Sequence, residues 1–125
     1  VKLKAREPLE QDIKNAILAW LFMQKNCYVW PNDSTGIFDP VKKIYRKKHS
    51  KYHRIGISDI LGIWNGRPLA IEVKRPKGVV SPEQRVFLNE FNKHGGIGFI
   101  ARSVDDVIEH LKSSWMIQSP SIKID

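Results

Sequence analysis

Apolar residues recur at spacings of three and four over residues 9–25, LEQDIKNAILAWLFMQK, through Leu9, Ile13, Ala16, Ile17, Trp20 and Leu21. This is the period of an amphipathic helix. Pro8 suits its first turn and Lys25–Asn26 its end. CYVW (27–30) is predicted as a short strand stopped by Pro31–Asn32–Asp33. Residues 32–55 carry no sustained period, and a connection of that length in a small domain is functional or disordered. Two strands, 57–64 and 67–75, flank Asn65–Gly66, a strong hairpin signal because both residues tolerate positive φ. SPEQRVFLNEFNKHGG (81–96) predicts a helix with Ser81 as N-cap, Pro82 as first residue and Gly95 as stop. IGFIA (97–101) reads as a buried strand. SVDDVIEHLKSS (103–114) reads as a last helix with Ser103 and Asp106 as its capping box. The tail from Gln118 is expected to be loose. The order α-β-β-β-α-β-α predicts an α/β domain with a mixed sheet and helices on its faces.

Within the apolar hairpin stand two acids and a lysine, Asp59, Glu72 and Lys74. A turn at 65–66 opposes Trp64 to Arg67, and five pairs further on it opposes Asp59 to Glu72. That pair is of the non-hydrogen-bonded kind, with Cα atoms roughly 4.5 Å apart. Lys74 follows Glu72 by two and shares its face. Two carboxylates at ~5 Å in an effective dielectric of ~20 repel by about 3 kcal/mol. One lysine cannot neutralise both, whereas a hard divalent cation, Mg²⁺ or Mn²⁺, can. Such an ion polarises a phosphodiester and activates water, with Lys74 placed to position or deprotonate that water. The plainer reading is a half-exposed strand with its charged side in solvent. DILGI and LAIEV, apolar on both faces, argue for a covered strand instead.

Charge sharpens the picture. Of the 125 residues, 21 are Lys or Arg and 13 Asp or Glu, a net charge of +8. Such an excess points to a polyanion, most often nucleic acid, rather than to solubility alone. Seven of the basic residues, Lys42, Lys43, Arg46, Lys47, Lys48, Lys51 and Arg54, fall in one stretch with no acid among them. Tyr45 and Tyr52 are interleaved there, suiting a surface that grips phosphate and stacks on bases. The alternative is a solvated charged loop. The apolar fraction of 42% supports one core, and the single cysteine, Cys27, precludes an internal disulfide. An intracellular, reducing compartment (cytoplasm or nucleoid) is expected. No run is long enough to span a bilayer and no secretory leader is seen.

The string G-x-S-D-I-L-G … I-E-V-K-R-P-K-G … S-P-E-Q, with Gly-Gly before a strand, resembles the PD-(D/E)XK nuclease superfamily. More narrowly it resembles the VRR-Nuc domain family of structure-specific nucleases, from about Glu10 to Leu111. The resemblance implies a restriction-endonuclease-like α-β-β-β-α-β core, with residues 1–125 forming one such domain. It implies Asp59, Glu72 and the backbone carbonyl of Val73 as metal ligands and Lys74 as the catalytic lysine. Ser58 departs from the proline of many members, at a position that is structural. Glu10 matches an acid that reaches the metal site directly or through water, with Glu7 as a weaker competitor. Its other reading is a first-turn acid favoured by the helix dipole. Gln84 matches a glutamine near the active site, and Ser81-x-x-Gln84 is equally a capping box. Arg75 and Lys77 of the Arg-Pro-Lys-Gly motif join the basic stretch as expected phosphate contacts.

The leading expectation is therefore a metal-dependent DNA endonuclease. Standalone family members imply homodimers acting on branched DNA such as four-way junctions, for which two copies of one site suit symmetric cuts. The competing readings are a non-catalytic nucleic-acid-binding module on the same fold and an enzyme acting on small phosphates. The intact Asp59, Glu72 and Lys74 argue against the first, and the size of the basic stretch against the second. His49 and His53 read as phosphate contacts, His94 and His110 as helix-end surface residues, and Trp20 as core. Trp30, Trp64 and Trp115 read as core, stacking or interface residues. No Cys/His spacing suits zinc, and Cys27 lacks a base for a nucleophile's role.

Overall fold

In the computed structural model, residues 7–32, 37–46 and 51–116 are described, with the backbone alone at 37–39, 44–46 and 114–116. Helix α1 spans Glu10–Phe22 and strand β1 Cys27–Pro31. Strands β2 (Ile37–Asp39) and β3 (Ile44–Arg46) form a small separate hairpin. Strands β4 (Ile60–Trp64) and β5 (Arg67–Val73) precede helix α2 (Pro82–Lys93), strand β6 (Ile97–Ala101) and helix α3 (Val104–Met116). The main sheet has the order β1-β4-β5-β6, with β5–β6 parallel and the other pairs antiparallel. This is the expected α/β class, a mixed sheet flanked by helices and consistent with the α-β-β-β-α-β core.

Strand alternation divides the sheet into two faces. Ile60, Leu69, Ile71, Val73, Phe99 and Ala101 point to one side. There they bury Ile13, Ile17 and Leu21 of α1 and Val107 and Leu111 of α3. Each fully buried aliphatic side chain contributes roughly 1.5–3 kcal/mol. Trp64 closes this core against Trp20, their rings stacked at 6.3 Å. The other side carries α2. There Ala70 faces Gly98 across the β5–β6 ladder, and a Cβ on Gly98 would lie 3.1 Å from the Leu88 side chain of α2. Small residues at 70 and 98 thus let the helix lie close to the sheet.

Asn65 and Gly66 both hold positive φ, 49° and 79°, as a two-residue hairpin turn requires. Ser81 and Gln84 form the expected reciprocal capping box. At α3 the box is altered. Ser103 Oγ accepts from Asp106 N–H at 3.1 Å, but the Asp106 carboxylate reaches Arg102 N–H at 2.8 Å, one residue before the cap. Strand β4 begins at Ile60 rather than 57, and the β2–β3 hairpin occupies part of the stretch expected to lack regular structure. Three-residue strands are too short for alternation to be read from sequence. The expected loose tail, 118–125, lies outside the described residues.

Candidate active site

The register of β4 and β5 runs Trp64↔Arg67 through Ile60↔Ile71. Asp59 and Glu72 come next in that register, where the ladder has ended. An antiparallel ladder continued to this point would give Val73 N–H a backbone acceptor on the opposite strand. Instead Val73 N–H donates to Asp59 Oδ2 at 2.9 Å. The Asp59 carboxylate therefore stands in for the departed strand, which fixes it beside Glu72. Asp59 is tied on the other side by its carbonyl, which accepts from Asn32 N–H at 2.7 Å.

Glu72 is 2% exposed on the central strand, an expensive place for a charge. Its Oε1 accepts from Gln84 Nε2 at 2.7 Å, and Lys74 Nζ lies 3.8 Å from the same oxygen. Its Oε2 is buried with no hydrogen-bond partner. Burial, then the neighbouring Asp59 charge, push the Glu72 carboxyl from 4.5 up to about 8, with Lys74 opposing and Glu10 adding to the rise. Glu10, on the first turn of α1, is thus close enough for its charge to be felt at Glu72. The structure brings together Asp59, Glu72, Val73, Lys74 and Gln84, with Glu10 at the margin.

Gln84 both caps α2 and touches Glu72. Its Oε1 accepts from Ser81 N–H at 2.9 Å, closing the cap, and its Nε2 turns to Glu72. Two further residues escaped sequence reasoning. Gly56, with φ 75°, passes so near α2 that a Cβ would lie 2.4 Å from Glu83 O. It seats the chain before Asp59 against the turn that carries Gln84. Arg102 Nη1 donates to the carbonyls of Arg75, Pro76 and Gly78, holding the loop just after Lys74. Gly56 opens the G-x-S-D string, a signal in hindsight; Arg102 offered none beyond its place after a buried strand.

The basic residues spread more widely. Lys42, Lys43, Lys51, Arg54 and Lys77 are exposed. Lys51 Nζ lies 5.1 Å from the Tyr52 ring centroid. Exposed Arg75 pairs with Glu7 at 3.4 Å, so Glu7 turns to the loop. Arg46 is described by backbone only, and Lys47, Lys48 and His49 lie outside the described residues. His94 is exposed, its Nδ1 2.8 Å from Glu90 O, and the His110 ring stacks on Phe99 at 4.3 Å. Cys27 is a free thiol whose pKa burial raises, contrary to a nucleophile's need. Among the described residues, no helix is long and apolar enough to cross a membrane.

A mixed sheet with two carboxylates and a lysine at the open end of its central hairpin is the frame of a nuclease-type domain. Residues 9–105 match the VRR-NUC domain, and the chain belongs to that family. No curated protein and no solved structure shows significant similarity to the chain. The family makes this a nuclease-type domain, with DNA as partner and divalent-metal dependence as its general property.

Proposed function

We propose that the chain is a divalent-metal-dependent, structure-specific DNA endonuclease that hydrolyses phosphodiester bonds in branched DNA such as four-way junctions. The observation carrying this reading is the buried Glu72 carboxylate, with one oxygen held by Gln84 and the other without a partner beside Asp59. The donor set fits Mg²⁺ or Mn²⁺. These cations take oxygen ligands, and Mg²⁺ uses one or two carboxylates plus waters and substrate phosphate. Asp59, Glu72 and the Val73 carbonyl would hold the ion, which supplies Lewis-acid polarisation of phosphate and a more acidic bound water.

The chain's own residues do the rest. Gln84 fixes the rotation of the Glu72 carboxylate through Oε1, leaving Oε2 for the site. Lys74, its side chain 14% exposed, presents an ammonium beside Glu72 to orient the attacking water and stabilise charge developing on phosphate. Glu10 adds negative potential at the edge. Lys42, Lys43, Arg46, Lys47, Lys48, Lys51, Arg54, Arg75 and Lys77 hold the DNA backbone, and a homodimer would place two sites for paired cuts. The free cysteine suits a reducing, intracellular compartment.

The competing reading is a non-catalytic DNA-binding module on the same fold. One experiment separates the two. Labelled four-way junction, flap and linear duplex are incubated with the protein in Mg²⁺, Mn²⁺ or EDTA. Cleavage of the junction that EDTA abolishes supports the endonuclease; binding of all three without any cut supports the module.

A further inference from the structure

Resting on the reading of this site as a DNA nuclease, we propose that Tyr28 and Trp30 form a stacking surface for unpaired bases beside the cut. The strand registers place them. Trp30 pairs with Leu61 and Leu61 with Ala70; Tyr28 pairs with Ile63 and Ile63 with Pro68. Both rows lie on the face that carries α2, because Val29 between them turns into the opposite core. Glu72 lies on that face too, two residues beyond Ala70, with Asp59 opposite it. The carboxylates and the aromatic pair thus occupy successive rows of one surface. Two residues along β4 and one strand across separate Asp59 from Trp30, a Cα distance of about 8 Å. That is a step of one or two nucleotides.

The surface is open and of the wrong chemistry for water. Tyr28 is 73% exposed, Trp30 45% and Ile63 45%. An antiparallel strand with one covered face ordinarily puts polar residues on the other. Here the outward residues of β1 are two aromatic rings, edge to face with centroids 6.1 Å apart. The third row ends at Pro68, which lines a cavity of about 530 Å³ together with His53, Arg54 and Ile55. Exposed Arg54 therefore lies on the same face, at the Pro68 end of the row that begins at Tyr28. Aromatic rings with a cation further along the same face match single-stranded nucleic acid, whose bases stack while its phosphates seek charge. Paired DNA cannot use the rings, since its base faces are already stacked. A strand peeled open at a branch point can.

The test measures affinity for a short oligothymidylate and for a blunt duplex in EDTA at fixed salt. The proteins are wild type, Tyr28→Ala, Trp30→Ala, the double variant and Trp30→Phe, each first shown to melt like wild type. Trp30→Ala should bind the oligothymidylate about tenfold more weakly, the double variant more weakly still, with duplex affinity unchanged. Trp30→Phe, which keeps a ring, should recover most of the loss. In a junction carrying 5-iododeoxyuridine one or two nucleotides from the cut, irradiation should crosslink Trp30 or Tyr28. Unchanged oligothymidylate affinity in the double variant overturns the proposal, as does an equal loss for duplex. So does loss of self-association with DNA affinity intact, which would make the face a contact between copies. The two readings fail separately. Stacking without cleavage by the wild type sinks only the endonuclease, and cleavage with an indifferent double variant sinks only the stacking surface.

Discussion

The starts of α2 and α3 are built on one local device with different consequences. Each has a serine cap accepting from the N–H three residues on, at 3.2 Å for Ser81 and 3.1 Å for Ser103. At α3 the third residue is Asp106. A carboxylate only accepts, and it is used up on Arg102 N–H. At α2 the third residue is Gln84. Its amide accepts from Ser81 N–H with the oxygen and keeps a donor nitrogen for Glu72. The same serine cap is therefore only a helix start in one place and also a support for the candidate active site in the other. One extra methylene and an –NH₂ group make the difference.

That contrast can be broken at Gln84. Gln84→Glu keeps the acceptor for Ser81 and loses the donor, placing a third negative charge at Glu72. Cleavage of the four-way junction should fall about ten- to hundredfold, the range for losing a residue that orients a metal ligand. Thermal melting in EDTA should show α2 still capped. If Gln84→Glu cleaves like wild type, the contact with Glu72 is incidental.

A second effect is read against pH. The Glu72 carboxyl is raised from 4.5 to about 8 in the folded chain, by burial and then by Asp59. The folded state keeps its proton where the unfolded state has lost it. Its contribution to stability is present below the unfolded value and is lost as pH rises through about 8. Without metal, wild-type stability should therefore decline over that window relative to Glu72→Gln, which has no proton to lose. Added Mg²⁺ should flatten the decline, because it favours the ionised form. Chemical denaturation at several pH values measures both, and parallel curves for the two proteins would remove Glu72 from the linkage.

The smallest effects separate the two helix starts. Ser81→Ala and Ser103→Ala should each cost about 1 kcal/mol of stability. Only Ser81→Ala should also slow cleavage, since it loosens the turn that aims Gln84. Equal cleavage by the two variants would show that the cap does not position the site. Arg102→Ala belongs beside them: it frees the Arg75–Gly78 loop and should weaken DNA binding more than it slows the cleavage of bound DNA.

Much of this was legible in the chain. A two-residue turn at Asn65–Gly66 fixes the pairs from Trp64↔Arg67 to Ile60↔Ile71, and counting puts Asp59 and Glu72 at the next position, just past the end of the ladder. Ser81-x-x-Gln84 is a local signal and was equally readable. What was not readable depends on contacts across the fold. The Asp59 carboxylate takes the Val73 N–H because the strand peels away there, which no alternation pattern records. Arg102 meets carbonyls more than twenty residues distant in sequence, a contact that exists only after β5 and β6 have paired. Tyr28 and Trp30 join the carboxylates' face only through the order of strands, β1 beside β4.

In the proposed function Glu72, paired with Asp59, holds the ion that cuts DNA, whereas the basic residues only hold the strand. The direct measurement is junction cleavage by Glu72→Ala at saturating Mg²⁺, with junction affinity measured on the same preparation. Cleavage should be abolished while binding stays at the wild-type level. Cleavage at the wild-type rate would contradict it.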